Sequence, residues 1–399
     1  MKQNKLRVGV IGAGAVVREI YQHLYFKSDY SERLEICAVA EPNEQYRTWF
    51  GDLASLPANK RFTSYQEMLA SVELDAAQVN TPDHLHCAPA VAALEAGLDV
   101  IVPKPMASSI QDAHQMIQAA KRAGRFLGID FHKREDPRIR EAQARFQSRR
   151  YGEFQAAVFY MLDKLLVADP NHSPRFFASA DFAEKNTPVS FLTVHMADAL
   201  MQIVNLVPVQ VRAIGHAHKL PALKPIAVHG YDLVDTEIVF VNGGSAHILT
   251  GWALPNTAWS TTVQSARLIC SDGLIDIDLD RPGLHEIHQD GLAEINPLFR
   301  NFGPDQRVSG YGISSPGRLY EQALSRREGR LSECELHAAL SPMTLGFYAT
   351  LVLEGAEKSL AEGQKLGAGT TAGAMIDLRN LVIHQLGAET AKTYGAAGS

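Results

Sequence analysis

Cysteine is scarce in this sequence, and its four copies, Cys37, Cys87, Cys270 and Cys334, form no C-x-x-C pair. Without such spacing neither a zinc centre nor a disulfide framework is expected, and reduced thiols in a cytoplasmic setting are the simplest reading. The 15 histidines show no H-x-x-x-H pair, so no metal is predicted. Positive charge is also short: 38 Lys and Arg stand against 44 Asp and Glu, for a net charge of −6. That balance supplies no basic field for nucleic acid or an anionic membrane. No apolar run approaches the length that spans a bilayer, and the opening MKQNKLR leads straight into an apolar strand, leaving no room for a signal peptide. Repeats and low-complexity segments are missing as well. What remains is an ordinary globular composition, 46% hydrophobic and 21% charged, in 399 residues. One hydrophobic core rarely grows that large, so two domains are expected.

The chain is organised around Leu6 to Arg18, LRVGVIGAGAVVR. Val8, Val10 and Ile11 make an apolar run of strand length, Gly12 and Gly14 follow, and Glu19 to Tyr25 begins a helical pattern. A strand feeding a glycine turn and then a helix is a nucleotide-binding arrangement. The helix N-terminus offers unpaired N–H groups and partial positive charge, and glycines let a pyrophosphate approach them. The third small residue of G-x-G-x-x-G/A is Val17 here, so the motif is imperfect. A second strand, Leu34 to Ala40, ends at Glu41, 29 positions after Gly12. A carboxylate there can accept hydrogen bonds from the adenosine ribose and repels a 2′-phosphate, so NAD is expected in preference to NADP. The alternative is a surface role for Glu41, opening the loop Pro42-Asn43.

Strands and helices alternate to about residue 131. Strand-like runs fall at Phe62-Thr63, Leu74 to Val79, Asp99 to Val102 and Phe126 to Phe131, and helical patterns at His84 to Ala96 and Ile110 to Ala123 stop at Gly97 and Gly124. This rhythm predicts an α/β Rossmann domain, a doubly wound parallel sheet, over residues 1–131, with ligands beyond the carboxyl ends of its strands. Glu41, Thr81 and Lys104 fall at such ends. Residues 132–399 read differently. The polar segment Asp163 to Thr187, with Asn171-His172-Ser173-Pro174-Arg175 inside it, is long enough to line a substrate site, and Phe191 to Val204 reads as helix. Consecutive strand-like runs at Val209 to Gly215, Asp235 to Val241, Ser245 to Trp252, Thr261 to Cys270 and Gly273 to Leu279 predict a mostly antiparallel sheet in an α+β domain. Helices are expected at Ser315 to Arg326, Cys334 to Glu362 and Thr371 to Leu386.

Five segments then stand out together: Val10-Ile11-Gly12-Ala13-Gly14, Ala40-Glu41-Pro42-Asn43, Thr81-Pro82-Asp83-His84-Leu85-His86, Ala93-Leu94-Glu95-Ala96-Gly97 and Lys104-Pro105. In that order and spacing they resemble the glucose-fructose oxidoreductase, inositol dehydrogenase and rhizopine catabolism (Gfo/Idh/MocA) oxidoreductases. The resemblance implies a dinucleotide domain followed by a substrate domain on a large open sheet, in a homo-oligomer, dimer or tetramer. It also implies NAD and a small carbohydrate-like substrate, a sugar, sugar derivative, glycoside or cyclitol whose secondary alcohol exchanges a hydride with the nicotinamide. Candidate cofactor-binding residues are Gly12, Gly14, Ala15, Val16, Glu41, Thr81, Pro82, His86, Lys104 and Pro105. Lys104 is the candidate acid/base and His195 the second proton-handling group; a surface lysine and a buried histidine paired with Asp198 are the bland alternatives. His132, Arg134, Asn171, His172, Arg175 and Asp198 are candidate substrate residues. Two departures matter: the E-K-P signature is Pro103-Lys104-Pro105, and the acidic position of D-x-x-x-H is Phe191. They leave two rivals open, an NAD-dependent glycosidase that oxidises transiently and eliminates an aglycone, and a catalytically silent NAD-binding regulator.

Overall fold

The structure, a computed structural model, describes residues 5–177, 179–281, 284–288, 291–330 and 342–394. Cys334, and with it the start of the helix expected from there, lies outside the described residues; the helix is described as Pro342–Ala361. The chain divides into two units, Met1–Asp136 with Leu298–Phe347, and Pro137–Pro297 with Tyr348–Ser399. No helix among the described residues is long and apolar enough to cross a membrane.

In the first unit six parallel strands, β1 (Leu6–Ile11), β2 (Leu34–Ala40), β3 (Arg61–Phe62), β4 (Ala76–Val79), β5 (Asp99–Pro103) and β6 (Leu127–Asp130), lie in the order β3-β2-β1-β4-β5-β6. Val8, Val10, Val39, Val79 and Val100 are fully buried, as strands covered on both faces require. Each such side chain contributes on the order of 1.5–3 kcal/mol. Strand order reverses between β1 and β4, which opens a crevice at their carboxyl ends. Helix Ile110–Ala123 matches its expected bounds because both ends are signalled locally: Ser109 accepts the Asp112 N–H, and Gly124 takes φ +61°.

Helix Tyr311–Arg327 belongs to this unit, whereas the sequence reading assigned all of 132–399 to the second domain. Ile313, Leu319, Tyr320 and Ala323 share a core with Leu6, Val8 and Tyr25 of the parallel-sheet layer. Polar bonds fix the same placement. Arg327 donates from Nε to the buried Asp99 carboxylate at 2.6 Å and from Nη1 to Asp75 at 3.1 Å. Ser315 and Tyr320 bond Asp130 and Gln78 of the sheet. A buried Asp99 stripped of Arg327 would cost roughly 3–5 kcal/mol.

The second unit carries a nine-stranded sheet. β7 (Phe154–Lys164), β8 (Pro208–His216), β9 (Leu233–Phe240), β10 (Ser245–Leu254), β11 (Thr262–Cys270) and β12 (Gly273–Asp278) run in the order β12-β11-β7-β10-β9-β8. Short strands Thr370–Ala372, Gln364–Leu366 and Ile376–Asp377 extend it beyond β8. Among the described residues only β7 and β10 pair in parallel; the rest is antiparallel. The expected helix Thr371 to Leu386 is corrected here. Thr370 and Thr371, β-branched, join β8 as strand, and the helix starts only at Leu378, where Asp377 caps it by accepting the Asn380 N–H. Helix Val194–Val204 follows five π-helical residues, Val189–Thr193, and begins from a reciprocal cap in which Thr187 and Ser190 each accept the other's N–H at 3.1 Å.

Candidate active site

β1 delivers the chain to Gly12, which sits at φ +86° and donates its N–H to the Ala40 carbonyl at 2.8 Å. A Cβ there would stand 2.8 Å from the Asn80 carbonyl oxygen, so both the dihedral and the approach of β4 require glycine. Gly14 is different. A Cβ added to it meets nothing within 4 Å, which leaves an open cradle above the turn. Close by in sequence to the β4 end, the Thr81 hydroxyl is buried with no hydrogen-bond partner among the described residues. The helix opens at the exposed Ala15 and half-buried Val16 and winds as a π-helix over Val17–Tyr21. Val17, at the motif's third small position, is fully buried, and the wider turn coincides with that bulkier side chain.

Glu41 clamps this turn. Its Oε2 accepts the Ala13 N–H and its Oε1 the Asn43 N–H, both at 2.8 Å, and it is only 9% exposed. It is therefore no surface residue. Each carboxylate oxygen keeps acceptor capacity for a ribose hydroxyl. Behind the turn runs a buried relay that the sequence reading did not single out: Tyr320 donates to Gln78 at 2.9 Å, Gln78 to Asn80 at 3.0 Å, and Asn80 to the Gly12 carbonyl at 3.3 Å. Two amides in and just after an otherwise apolar strand were its only signal.

His86 is fully buried, with Nδ1 3.0 Å from the Pro105 carbonyl and Nε2 2.9 Å from that of Thr81. Burial holds its imidazole below the ordinary value, so it is neutral and donates to one carbonyl at a time. It staples the loop after β4, which begins Thr81-Pro82, to the Lys104-Pro105 loop after β5. Lys104 itself is half-buried and donates its backbone N–H to the Asp130 carbonyl at 3.2 Å. Burial, with the charges of Lys133 and Lys104, keeps the His132 imidazole well below its usual value, and its ring stacks on Tyr311 at 5.9 Å. The Arg134 guanidinium lies 4.7 Å from the Phe131 ring centre. Of the two candidate substrate residues just after β6, then, His132 is neutral and Arg134 is stacked on an aromatic ring.

Asp130, at the end of β6, is a second residue missed by the sequence reading. Tyr21 and Ser315 donate to its two carboxylate oxygens at 2.8 and 2.5 Å. Burial nevertheless pushes its carboxyl up to about 6 from an ordinary 3.8, against those hydrogen bonds and the Arg134 charge. Between about pH 4 and 6 the folded protein thus holds a proton that the unfolded chain has released, and stability falls as pH rises through that window. The full effect is of order 3 kcal/mol. Asp130→Asn is expected to flatten this segment of the profile, read by denaturant titration at pH 4 to 7. Equal slopes in variant and parent would show that Asp130 does not govern it.

In the second unit His195 is 6% exposed and Asp198 is fully buried, on one helix three residues apart. Phe191, four residues before His195, packs its ring against Phe177, Phe182 and Trp252 at 5.7, 5.1 and 5.6 Å. Asn171 spends its side chain on loop structure, donating to Asp169 and the Ile226 carbonyl and accepting the Ile226 N–H. His172 points its Nδ1 at the Pro174 carbonyl, 2.8 Å away. Arg175 lines a pocket with Phe176, Phe177 and Phe182. Among the described residues no group of three or more His, Cys, Asp or Glu could hold a metal ion.

Residues 6–131 match the oxidoreductase family of NAD-binding Rossmann fold named GFO_IDH_MocA. It is 29% identical over 212 residues to a 1,5-anhydro-D-fructose reductase of Ensifer adhaerens, covering 53% of this chain and 60% of the relative. To a D-glucoside 3-dehydrogenase of Escherichia coli it is 24% identical over 245 residues, 59% of this chain and 61% of the relative. The chain thus spans about three-fifths of the length of these curated relatives. A scyllo-inositol dehydrogenase of Lactobacillus casei, solved with NAD(H) and scyllo-inositol, shares the fold at a TM-score of 0.70, 14% identity, and 94% and 99% coverage of the two chains. The matched residues 6–131 form the six-stranded parallel sheet of an NAD-binding Rossmann fold. The open cradle over Gly14 and the unpartnered Thr81 hydroxyl fit such a dinucleotide.

Proposed function

We propose that this protein is an NAD-dependent dehydrogenase that oxidises a secondary hydroxyl of a sugar, sugar derivative, glycoside or cyclitol. The observation that carries it is the half-buried Lys104 at the carboxyl end of β5, on the same parallel sheet as the Gly12–Gly14 turn. Gly14, with the Ala15 and Val16 end of the helix, receives the pyrophosphate, Glu41 the adenosine ribose, and Thr81, Pro82 and Pro105 the nicotinamide half, while His86 braces those loops. NAD, held by these residues, would supply the hydride acceptor for the carbinol carbon. The hydroxyl proton passes to the Lys104 amine, leaving a ketone; in reverse the ammonium polarises that ketone. His195 is assigned the supporting role of hydrogen-bond partner to a substrate hydroxyl, and His132, Arg134 and Arg175 are assigned to substrate binding. The sheet face that bears the exposed Val158 and Ile269 supports assembly as a homo-oligomer, dimer or tetramer.

A panel of sugars, cyclitols and glycosides with NAD or NADP, read at the NADH absorbance, tests this. One NADH per ketone formed, with NAD preferred, is the expected result. Aglycone release without NADH would favour the glycosidase reading, and NAD binding without turnover on any compound a silent regulator, which the loss of a carboxylate at Phe191 keeps in view. With a substrate in hand, His195→Ala is expected to lower kcat/KM, less than loss of Lys104 does. Unchanged kcat/KM would leave His195 as a core residue.

A further inference from the structure

We propose that the substrate carries an aromatic ring on its non-reacting side, as an aryl glycoside, and that Phe176, Phe177, Phe182 and Phe191 form the wall receiving it. This rests on the dehydrogenase reading for which bond reacts, and on the second unit alone for what is recognised.

Phe177 and Phe182 stack with ring centres 4.0 Å apart at 24°. Phe191 meets both edge-on, at 86° and 87°, and Phe176 meets Phe177 edge-on at 5.0 Å. Trp252 closes the inner end, in contact with Phe182 and Phe191. A loop core made only for stability would bury these rings. Here Trp252 is 1% exposed, Phe177, Phe182 and Phe191 are part-exposed, and Phe176 is 52% exposed, so the wall opens outward at a pocket lined by Phe176, Phe177 and Phe182 with Val167 and Ala168.

The helix supplies the link to chemistry. Phe191 lies one turn before His195, so whatever touches Phe191 is close to the candidate proton-handling group. A carboxylate at that position would select paired hydroxyls. A phenyl ring offers none of that and attracts a second ring edge-on or offset, geometries already present four times in this cluster. A bare cyclitol, hydroxylated all round, gains least here; a sugar bearing a planar aromatic aglycone gains most.

The test uses the full-length, NAD-loaded protein with matched phenyl and methyl glycosides of several hexoses and pentoses. Affinity is read by calorimetry and ring contact by saturation-transfer NMR, both independent of turnover. For at least one sugar the phenyl glycoside should bind roughly tenfold or more tightly than the methyl one, with its aromatic protons the most saturated. Phe191→Leu should bring that ratio close to one, and Phe176→Ala, at an exposed position that does not threaten folding, should lower it severalfold. Equal affinities for every pair, no phenyl glycoside bound, or a phenyl preference that survives both variants would overturn the proposal. A variant-sensitive phenyl preference without NADH formation would uphold the aryl wall and sink the dehydrogenase reading; NADH formed equally from phenyl and methyl glycosides would do the reverse.

Discussion

Lys104→Met is expected to abolish turnover while NAD still binds. The side chain stands at the end of β5, but the groups assigned to the pyrophosphate and the adenosine ribose, the Gly12–Gly14 turn and Glu41, follow β1 and β2. The backbone at 104 is held independently of the side chain, through its N–H to the Asp130 carbonyl, and His86 pins the neighbouring Pro105. Met keeps the length and apolar stem of lysine and removes only the amine. A positioned proton-transfer group is worth about 10²–10⁴ in rate, so kcat/KM should fall by at least that lower figure while the NAD dissociation constant, read by fluorescence quenching, moves little. Retention of more than about a tenth of the parent rate would remove Lys104 from the acid/base role.

The two glycines of the turn are expected to fail in opposite ways. Gly12→Ala forces a Cβ at φ +86° and against the Asn80 carbonyl, combining about 1–2 kcal/mol of left-handed backbone cost with about 1–3 kcal/mol of overlap. The melting temperature should drop by several degrees or more, and NAD binding should weaken with the turn. Gly14→Ala meets open space and should leave stability within about 0.5 kcal/mol. Its methyl group instead occupies the cradle, and losing even one charge-assisted hydrogen bond to pyrophosphate costs about 1.5–3 kcal/mol, a tenfold or greater loss of NAD affinity. Calorimetry with NAD alongside thermal unfolding separates the two. Normal NAD affinity in a well-folded Gly14→Ala variant would move the dinucleotide away from this turn.

These two residues also mark how far the sequence could be read. G-A-G after an apolar strand announces a turn, yet it does not say which glycine answers to the protein's own backbone and which to a ligand; that division depends on Asn80, 68 positions from Gly12. Glu41 was legible as an acid at a strand end, but its clamp on Ala13 and Asn43 required β1 and β2 to be paired. His86 was visible in its motif, and only the approach of the Pro105 loop turned it into a staple.

What the sequence determined by itself is what neighbouring residues dictate: the parallel α/β rhythm, the capped helix Ile110–Ala123, the glycine turn, and the run of strands that makes the second sheet. Hydrophobic periodicity, caps and turn residues act over a few positions, so they can be read along the chain. Tertiary structure decided the rest. Helix Tyr311–Arg327 returned to the first sheet because Tyr320, Ser315 and Arg327 find partners in Gln78, Asp130 and Asp99, all more than 180 residues away. Thr370–Ala372 became strand because β8 offered an edge, and Phe191 became part of an aromatic wall because Phe177, Phe182 and Trp252 converged on it. A buried hydrogen bond or ring contact forms only between groups that folding has already brought together, and no local pattern specifies its partner.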